Sequence, residues 1–265
     1  LYRNSPNNHV CSPAVLRRAV FKGEISITTY HCLCVDLGAT SGRGIVCSFD
    51  GRRAELTHEY RFPNVLRNVG GALSWDYPAL LENVIRSLVD SAPFGIRSVG
   101  IDTWGLDFGL LDEKASLLEW PVSYRDLRTE GVMEAVTEHF GRETIYRRTG
   151  IQFLSGNTVY QLAALAAKRP ELLDKAQTLL MMPDLLFYHL TGNISTEYTI
   201  ASTTQLINCT TRGWDDCLIS EFGLPRRIFT NLVSHGYSCL LSADLAGRHL
   251  LERLPVIKVA SHDTA

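Results

Sequence analysis

The sequence predicts an α/β protein with a mixed β-sheet flanked by helices. Three strand patterns follow one another near the start, an amphipathic helix and a further strand come next, and helical patterns dominate the remainder. The 265 residues, 45% of them hydrophobic, can bury a sizeable core. A net charge of −2 favours neither a nucleic-acid nor a membrane partner. No apolar run approaches the roughly 20 residues that span a bilayer.

The regular pattern begins at His31. Residues 32–35 form a buried strand pattern, residues 43–49 a second one, and residues 54–62 a third. Asp50-Gly51, between the second and third strands, is a strong hairpin signal. Three consecutive strands joined by short turns indicate an antiparallel part of the sheet.

An amphipathic helix is predicted over residues 77–91, where apolar residues recur every three or four positions. Asp76 followed by Pro78 marks its start. A strand over residues 96–102 ends on an aspartate, and a short strand over residues 108–111 follows. Three strands, a helix and a strand in this order indicate a ribonuclease-H-like unit.

The rest of the chain is predicted to be rich in helices. The predicted ranges are 129–140, 142–150, 158–168, 170–176 and 183–191, with Gly192 as a stop signal. Seven cysteines without zinc-finger spacing predict free thiols in a reducing, cytoplasmic compartment. Residues 1–30 are basic and irregular and lack the apolar core of a signal peptide, so this N-terminal extension receives no function.

A first candidate site is the segment 36–43, Asp-Leu-Gly-Ala-Thr-Ser-Gly-Arg, between two strands. Its glycines let backbone N–H groups approach an anion, its two hydroxyls add donors, and Arg43 adds a fixed positive charge. Asp36 would hold a metal-bound water near a phosphate. The segment lacks the Gly-Lys-Ser/Thr of a Walker loop. The alternative interpretation is a glycine-bearing β-turn with a surface arginine.

A second candidate site is the segment 100–108, which places two carboxylates, an indole and two glycines at a strand end. This is the usual ligand side of an α/β sheet. Trp104 would stack on the apolar face of a sugar, and Gly105 would let a hydroxyl approach the backbone. The alternative is that Trp104 belongs to the core and Asp102 caps a turn.

A third candidate site is His262-Asp263-Thr264, which follows the apolar run 255–260. We expect a strand that leads into a helix N-terminus, where the helix dipole keeps the Asp263 carboxylate ionised. An ionised carboxylate accepts the proton of a hydroxyl as a phosphoryl group arrives. The alternative is a simple helix N-cap.

These three motifs, in this order, resemble the FGGY family of carbohydrate kinases, and within it the rhamnulokinases. Further segments that look like this family are 124–126, 145–153, 157–162, 182–184, 190–192, 197–206 and 260–265. The resemblance covers about residues 31 to 265. It implies a ribonuclease-H-like, actin-like ATPase domain that forms the N-terminal, sugar-binding half of a two-domain enzyme. We expect the second family domain to be absent from this sequence, which would be truncated at the C-terminal end of the first domain. A chain of this extent would show little or no turnover on its own.

The resemblance implies ATP- and Mg²⁺-dependent phosphorylation of L-rhamnulose at its 1-hydroxyl. It assigns the ATP phosphates to Ala39, Thr40, Ser41, Gly42 and Arg43, and the metal to Asp36. It assigns the sugar to Gly105, His262, Asp263 and Thr264, with Asp263 as the general base. Trp104 and Asp107 are weaker candidates for the sugar pocket. Two alternatives remain open: a kinase for another ketose or polyol, and a non-catalytic sugar-binding module.

Overall fold

A computed structural model describes residues 29–264. The unassigned extension predicted for residues 1–30 lies outside the described residues, except for its last two. The strands are β1 (Tyr30–Leu37), β2 (Ser41–Phe49), β3 (Ala54–Pro63), β4 (Leu66–Val69), β5 (Ala72–Trp75), β6 (Val99–Thr103), β7 (Phe108–Leu111), β8 (Thr178–Met181), β9 (Thr196–Glu197), β10 (Leu232–Val233), β11 (Ser238–Leu240) and β12 (Pro255–Ile257). The α-helices are α1 (Tyr77–Ser91), α2 (Val132–Phe140), α3 (Arg142–Thr149), α4 (Thr158–Lys168), α5 (Pro170–Lys175), α6 (Met182–Thr191), α7 (Tyr198–Ser202), α8 (Asp216–Glu221) and α9 (Ala243–His249).

The central sheet has six strands in the order β11-β12-β6-β1-β2-β3. Strands β1, β2 and β3 are antiparallel neighbours, whereas β6 runs parallel to both β1 and β12. The predicted mixed sheet and its antiparallel part are therefore confirmed. Because the parallel strands β1, β6 and β12 end at the same edge, the segments that follow them meet there.

The inward face of this sheet packs against helices α1 and α6 in one buried cluster. Leu33 and Val35 of β1 alternate with partly exposed residues, and Leu80 and Val84 of α1 cover them. Full burial of each such side chain contributes about 1.5–3 kcal/mol. A second buried cluster joins β7 and β8 to the helices α3–α5, α7 and α8. The ends of the parallel strands are thereby held on a packed core.

Most predicted elements are confirmed within one or two residues, and α1 has the predicted bounds. The Asp76 carboxylate caps α1 by accepting a hydrogen bond from Ala79 N at 3.3 Å. The predicted strand 96–102 begins three residues later, at Val99. The hairpin β4–β5 and the strand β8 were not predicted; Gly70 and Gly71, both at positive φ, form the turn of that hairpin.

No helix within residues 29–264 has the length and apolarity that crossing a membrane requires. The cysteines of this range, among them Cys32 and Cys47 on neighbouring strands, are free thiols, as the sequence predicts.

Candidate active site

The hairpin between β1 and β2 carries the first motif. Gly38 N donates to Ser41 O at 2.9 Å and closes the turn. Asn64, which is buried, clamps this turn from the side: its Nδ2 donates to Gly38 O at 2.9 Å and its backbone N to Thr40 O at 3.1 Å. Thr40 and Ser41 are exposed on the resulting fixed turn.

Gly42, one of the residues assigned to the phosphates, is buried beneath an aromatic ring. A Cβ on Gly42 would lie 2.3 Å from Cε2 of Phe62 and 2.7 Å from Cδ2 of Leu37. The sequence therefore has glycine here because β2 must approach these side chains closely. The assignment of Gly42 to a phosphate stays a prediction.

The two charged residues of this motif face each other across the hairpin. Asp36 and Arg43 are register partners, and Arg43 Nε lies 3.0 Å from Asp36 Oδ2. Their side chains are 40% and 39% exposed, so both remain accessible to a ligand. The predicted phosphate-binding arginine thus pairs with the predicted metal-binding carboxylate.

Asp102, which belongs to the second candidate segment but has no predicted role in binding, also lies at this edge. The parallel register of β1 and β6 places it opposite Asp36. Burial, together with the negative charges of Asp36 and Asp263, raises the pKa of Asp102 to about 6. The signal for this was an aspartate at the end of each of two strands, but only the pairing of the strands brings them together.

The second and third motifs meet beyond the end of β6. Thr103 N donates to Ser261 O and Asp263 N donates to Thr103 O, each at 3.0 Å. This short parallel bridge brings Gly105 against the His262 ring: a Cβ on Gly105 would lie 3.2 Å from His262 Nε2. A glycine is therefore needed to keep the space between the two motifs open.

Asp263 presents a carboxylate that is 44% exposed at this junction. Thr264 Oγ1 donates to its Oδ1 at 3.0 Å, and His262 Nε2 lies 3.4 Å from the same oxygen. Among residues 29–264, no donor is hydrogen-bonded to Oδ2. Asp263 and Thr264 form a turn, and the helix start predicted there is not tested by the described residues. Within the described part of the chain, this arrangement leaves one carboxylate oxygen able to accept a proton.

A cavity of about 510 Å³ opens beside these residues. It is lined by apolar, aromatic and polar side chains, as expected for a small-molecule site. The lining residues are Trp104, Gly105, Leu106, Tyr124, Ile151, Gln152, Leu154, Asn157, Ser202, Thr203, His262 and Thr264. Three of the four residues assigned to the sugar, Gly105, His262 and Thr264, line it.

Trp104 belongs both to the buried core and to the wall of this cavity. It is 5% exposed and packs on Trp75 with a ring-centroid distance of 4.2 Å. The two interpretations of Trp104 offered by the sequence, core residue and pocket residue, are therefore compatible.

Asp107 is buried and does not line the cavity, so the structure gives no support to its prediction as a sugar-pocket residue. It is 1% exposed, and its Oδ2 accepts hydrogen bonds from Trp75 Nε1 at 2.7 Å and Trp104 Nε1 at 3.0 Å. Its Oδ1 accepts a hydrogen bond from Gln161 Nε2 at 3.1 Å. Burial raises the pKa of Asp107 to about 6, against the lowering effect of these donors. The Asp107 carboxylate therefore holds the Trp104 indole in place through the indole N–H.

The sheet order and the site at the ends of its parallel strands define a domain of the actin-like ATPase fold with a small-molecule cavity. The chain matches the FGGY family of carbohydrate kinases, N-terminal domain, over residues 31–265, and it belongs to this family. It is 44% identical over 239 residues to a rhamnulokinase of Pectobacterium atrosepticum, and 43% identical over 242 residues to one of Klebsiella pneumoniae. These matches cover 89% of this chain but 47% and 48% of those proteins, so the chain spans about half the length of these curated relatives.

Solved structures share the fold at low sequence identity. A ligand-bound xylulose kinase from Lactobacillus acidophilus superposes with a TM-score of 0.79 at 17% identity, over 87% of this chain and 48% of that chain. The Plasmodium falciparum glycerol kinase with ADP superposes with a TM-score of 0.75 at 17% identity, with the same two coverages. At these identities the likeness establishes the fold alone.

Proposed function

We propose that the protein to which this chain belongs transfers the γ-phosphoryl group of ATP to the 1-hydroxyl of L-rhamnulose. The observation that carries the proposal is the cavity at which Gly105 and His262 meet beside the half-exposed carboxylate of Asp263. The identity to proteins named rhamnulokinase, 42–44% over 88–89% of the chain, supports this sugar. The proposal includes a cytoplasmic location, where ATP is available.

Asp263 would act as the general base of this reaction. Thr264 donates a hydrogen bond to its Oδ1 and His262 lies beside the same oxygen, which leaves Oδ2 to take the proton of the sugar hydroxyl. The hydroxyl oxygen then bonds to the γ-phosphorus as the bond to the bridging oxygen breaks, and ADP leaves. Phosphoryl transfer requires little covalent chemistry from the protein, so positioning of the hydroxyl and the base supplies most of the catalysis.

The hairpin would face the phosphates of ATP through Thr40, Ser41 and the guanidinium of Arg43. Asp36 and Asp102 fit a divalent cation such as Mg²⁺, since two adjacent carboxylates at a polar edge are suitable ligands when phosphates and waters complete the shell. Asp36 would be the principal ligand, because its side chain is 40% exposed. When bound, the metal would supply positive charge to the phosphates.

Turnover tests this proposal most fully when the chain is joined to the remaining half of the Pectobacterium relative, since the chain spans about half of that protein. ADP release is measured by a coupled assay on L-rhamnulose, L-fuculose, D-xylulose and glycerol. We expect a clear preference for L-rhamnulose. A preference for one of the other three would overturn the substrate assignment.

The non-catalytic alternative is tested with the same protein. Sugar binding by calorimetry without ADP release would favour a binding module over a kinase. Asp263→Asn is the matched control, because it preserves the size of the side chain and removes the base. Full ADP release by this variant would refute the role of Asp263.

A further inference from the structure

Glu197, at the end of β9, has a fully buried carboxylate that neither the proposed mechanism nor the family resemblance assigns to a role. Its Oε2 accepts hydrogen bonds from the backbone N–H groups of Thr199 at 2.9 Å and Ile200 at 3.2 Å. The same oxygen accepts from Ser261 N at 3.3 Å and from Ser261 Oγ at 3.0 Å. One buried oxygen therefore joins two segments that lie more than sixty residues apart in the chain.

Both of these segments lead into the candidate site. The first is α7, which Glu197 caps and which continues into Ser202 and Thr203 on the cavity wall. The second begins at Ser261, directly before His262 and Asp263. The Glu197 carboxylate thus stands behind the cavity wall on one side and behind the proposed base on the other.

Glu197 is itself held by a buried ion pair. Its backbone N donates to Asp184 Oδ1 at 3.0 Å, and Asp184 pairs with the Lys258 ammonium group. Lys258 Nζ also donates to Ser195 O at 3.0 Å, two residues before Glu197. Asp184 and Lys258 are 1% and 3% exposed, so water competes little for these contacts.

The network also fixes the base segment at a second point. Lys258 follows β12 and lies three residues before Ser261 in the chain. The segment from Lys258 to Ser261 is therefore attached at both ends to the same buried group of charges. On the opposite side, Thr103 holds Asp263 N at 3.0 Å. Little freedom remains for the backbone that carries the base.

We propose that Glu197 is a positioning residue, which fixes the Asp263 segment relative to the sugar cavity. The inference rests on the proposed function, because Glu197 would affect the reaction only by positioning Asp263. A charged acceptor forms hydrogen bonds about twice as strong as a neutral one, and this favours glutamate at the position. A displacement of about 1 Å at the reacting groups costs up to about 10²-fold in rate, which makes such a support consequential.

The test compares Glu197→Ala and Glu197→Gln with the unchanged chain by hydrogen–deuterium exchange and calorimetry. We expect the amides of Ser261 and His262 to exchange at least about tenfold faster in Glu197→Ala, while those of Leu33 and Val35 keep their rates. We expect L-rhamnulose affinity to fall about tenfold as well. Glu197→Gln should restore part of both losses, because its amide oxygen can accept the same donors.

Asp215→Asn is the matched control for a general loss of stability. Asp215 is also a buried N-cap carboxylate: its Oδ1 accepts from Leu218 N at 3.0 Å and pairs with Arg148 at 2.8 Å, away from the cavity. This variant should melt at a lower temperature without faster exchange at Ser261. Equal loosening of the base segment in the control, unchanged exchange in Glu197→Ala, or no rescue by glutamine would each overturn the proposal. A chain that binds no L-rhamnulose would refute the proposed function instead, because the exchange result does not depend on sugar.

Discussion

The substitution Gly105→Ala should weaken sugar binding directly, in addition to a limited loss of stability. An added Cβ would lie 3.0 Å from Cγ2 of Thr203 and 3.2 Å from His262 Nε2, so these neighbours must yield by a few tenths of an ångström. Overpacking of this kind lowers the free energy of unfolding by about 1–3 kcal/mol. Replacing glycine also reduces the conformational entropy of the unfolded chain, which raises the free energy of unfolding by about 0.4–1 kcal/mol. The free energy of unfolding should therefore fall by no more than about 2.5 kcal/mol.

The effect on the site is direct because the methyl group occupies the space between the two candidate sugar-binding motifs. A hydroxyl that approaches the Gly105 backbone would be displaced, and the His262 ring would be pushed away from Asp263. We expect the affinity for L-rhamnulose to fall at least about tenfold, which corresponds to about 1.4 kcal/mol. Calorimetric titration gives the affinity, and thermal unfolding of the same sample gives the stability.

Gly109→Ala is the matched control, because it adds the same methyl group away from the cavity. Its Cβ would lie 2.7 Å from Cδ2 of Leu185 and 2.8 Å from Cδ1 of Leu117, a tighter fit than at Gly105. This variant should lose stability and keep its sugar affinity. Unchanged L-rhamnulose affinity in Gly105→Ala, or an equal loss of affinity in both variants, would contradict the role of Gly105.

Three further substitutions test other parts of the account. Asp263→Asn should retain sugar binding but lower ADP release about 10²–10⁴-fold in the coupled assay, and unchanged release would contradict its role as base. Gly42→Ala should lower the urea midpoint strongly, because its Cβ would lie 2.3 Å from the rigid ring of Phe62; an unchanged midpoint would refute that packing. Asp107→Asn should lower the free energy of unfolding by about 1–3 kcal/mol, because its new amide N–H donor faces the N–H donor of Gln161. Burial raises the pKa of Asp107 in the folded protein to about 6. The contribution of its carboxyl group to the free energy of unfolding is therefore fully present below about pH 4 and is lost as the pH rises through 6. The deficit of Asp107→Asn in urea unfolding should therefore shrink from pH 4 to pH 7, and a deficit that grew would contradict the assignment.

Local patterns were sufficient for the elements whose signals lie within a few residues. The helix Tyr77–Ser91 has its predicted bounds because its apolar spacing and the Asp76 cap are both local. The strand Thr178–Met181 is different: its short apolar run fits a buried strand or a buried helix equally well, and only pairing with β7 decides between them. The Gly70-Gly71 pair is a local hairpin signal, and the hairpin that it forms was predictable from the sequence.

The candidate site shows the same contrast between local and long-range signals. Its glycine and hydroxyl motifs are contiguous in sequence and could be found there, whereas their support comes from distant residues. Asp107 looks like a ligand residue until Trp75, 32 residues away, and Gln161, 54 residues away, occupy its oxygens. Asp102 joins Asp36 only through strand register. A single sequence contains no direct record of such pairings, so the motifs of the candidate site could be found in it and the network that supports them could not.

The most direct test of the central claim is a nuclear magnetic resonance titration of the chain with L-rhamnulose. We expect saturable shifts of the Trp104 indole N–H and of the backbone amides of Gly105, His262 and Asp263, with smaller effects from glycerol and D-xylulose at equal concentration. The central claim would be contradicted if L-rhamnulose left these four signals unchanged, or if glycerol shifted them as strongly.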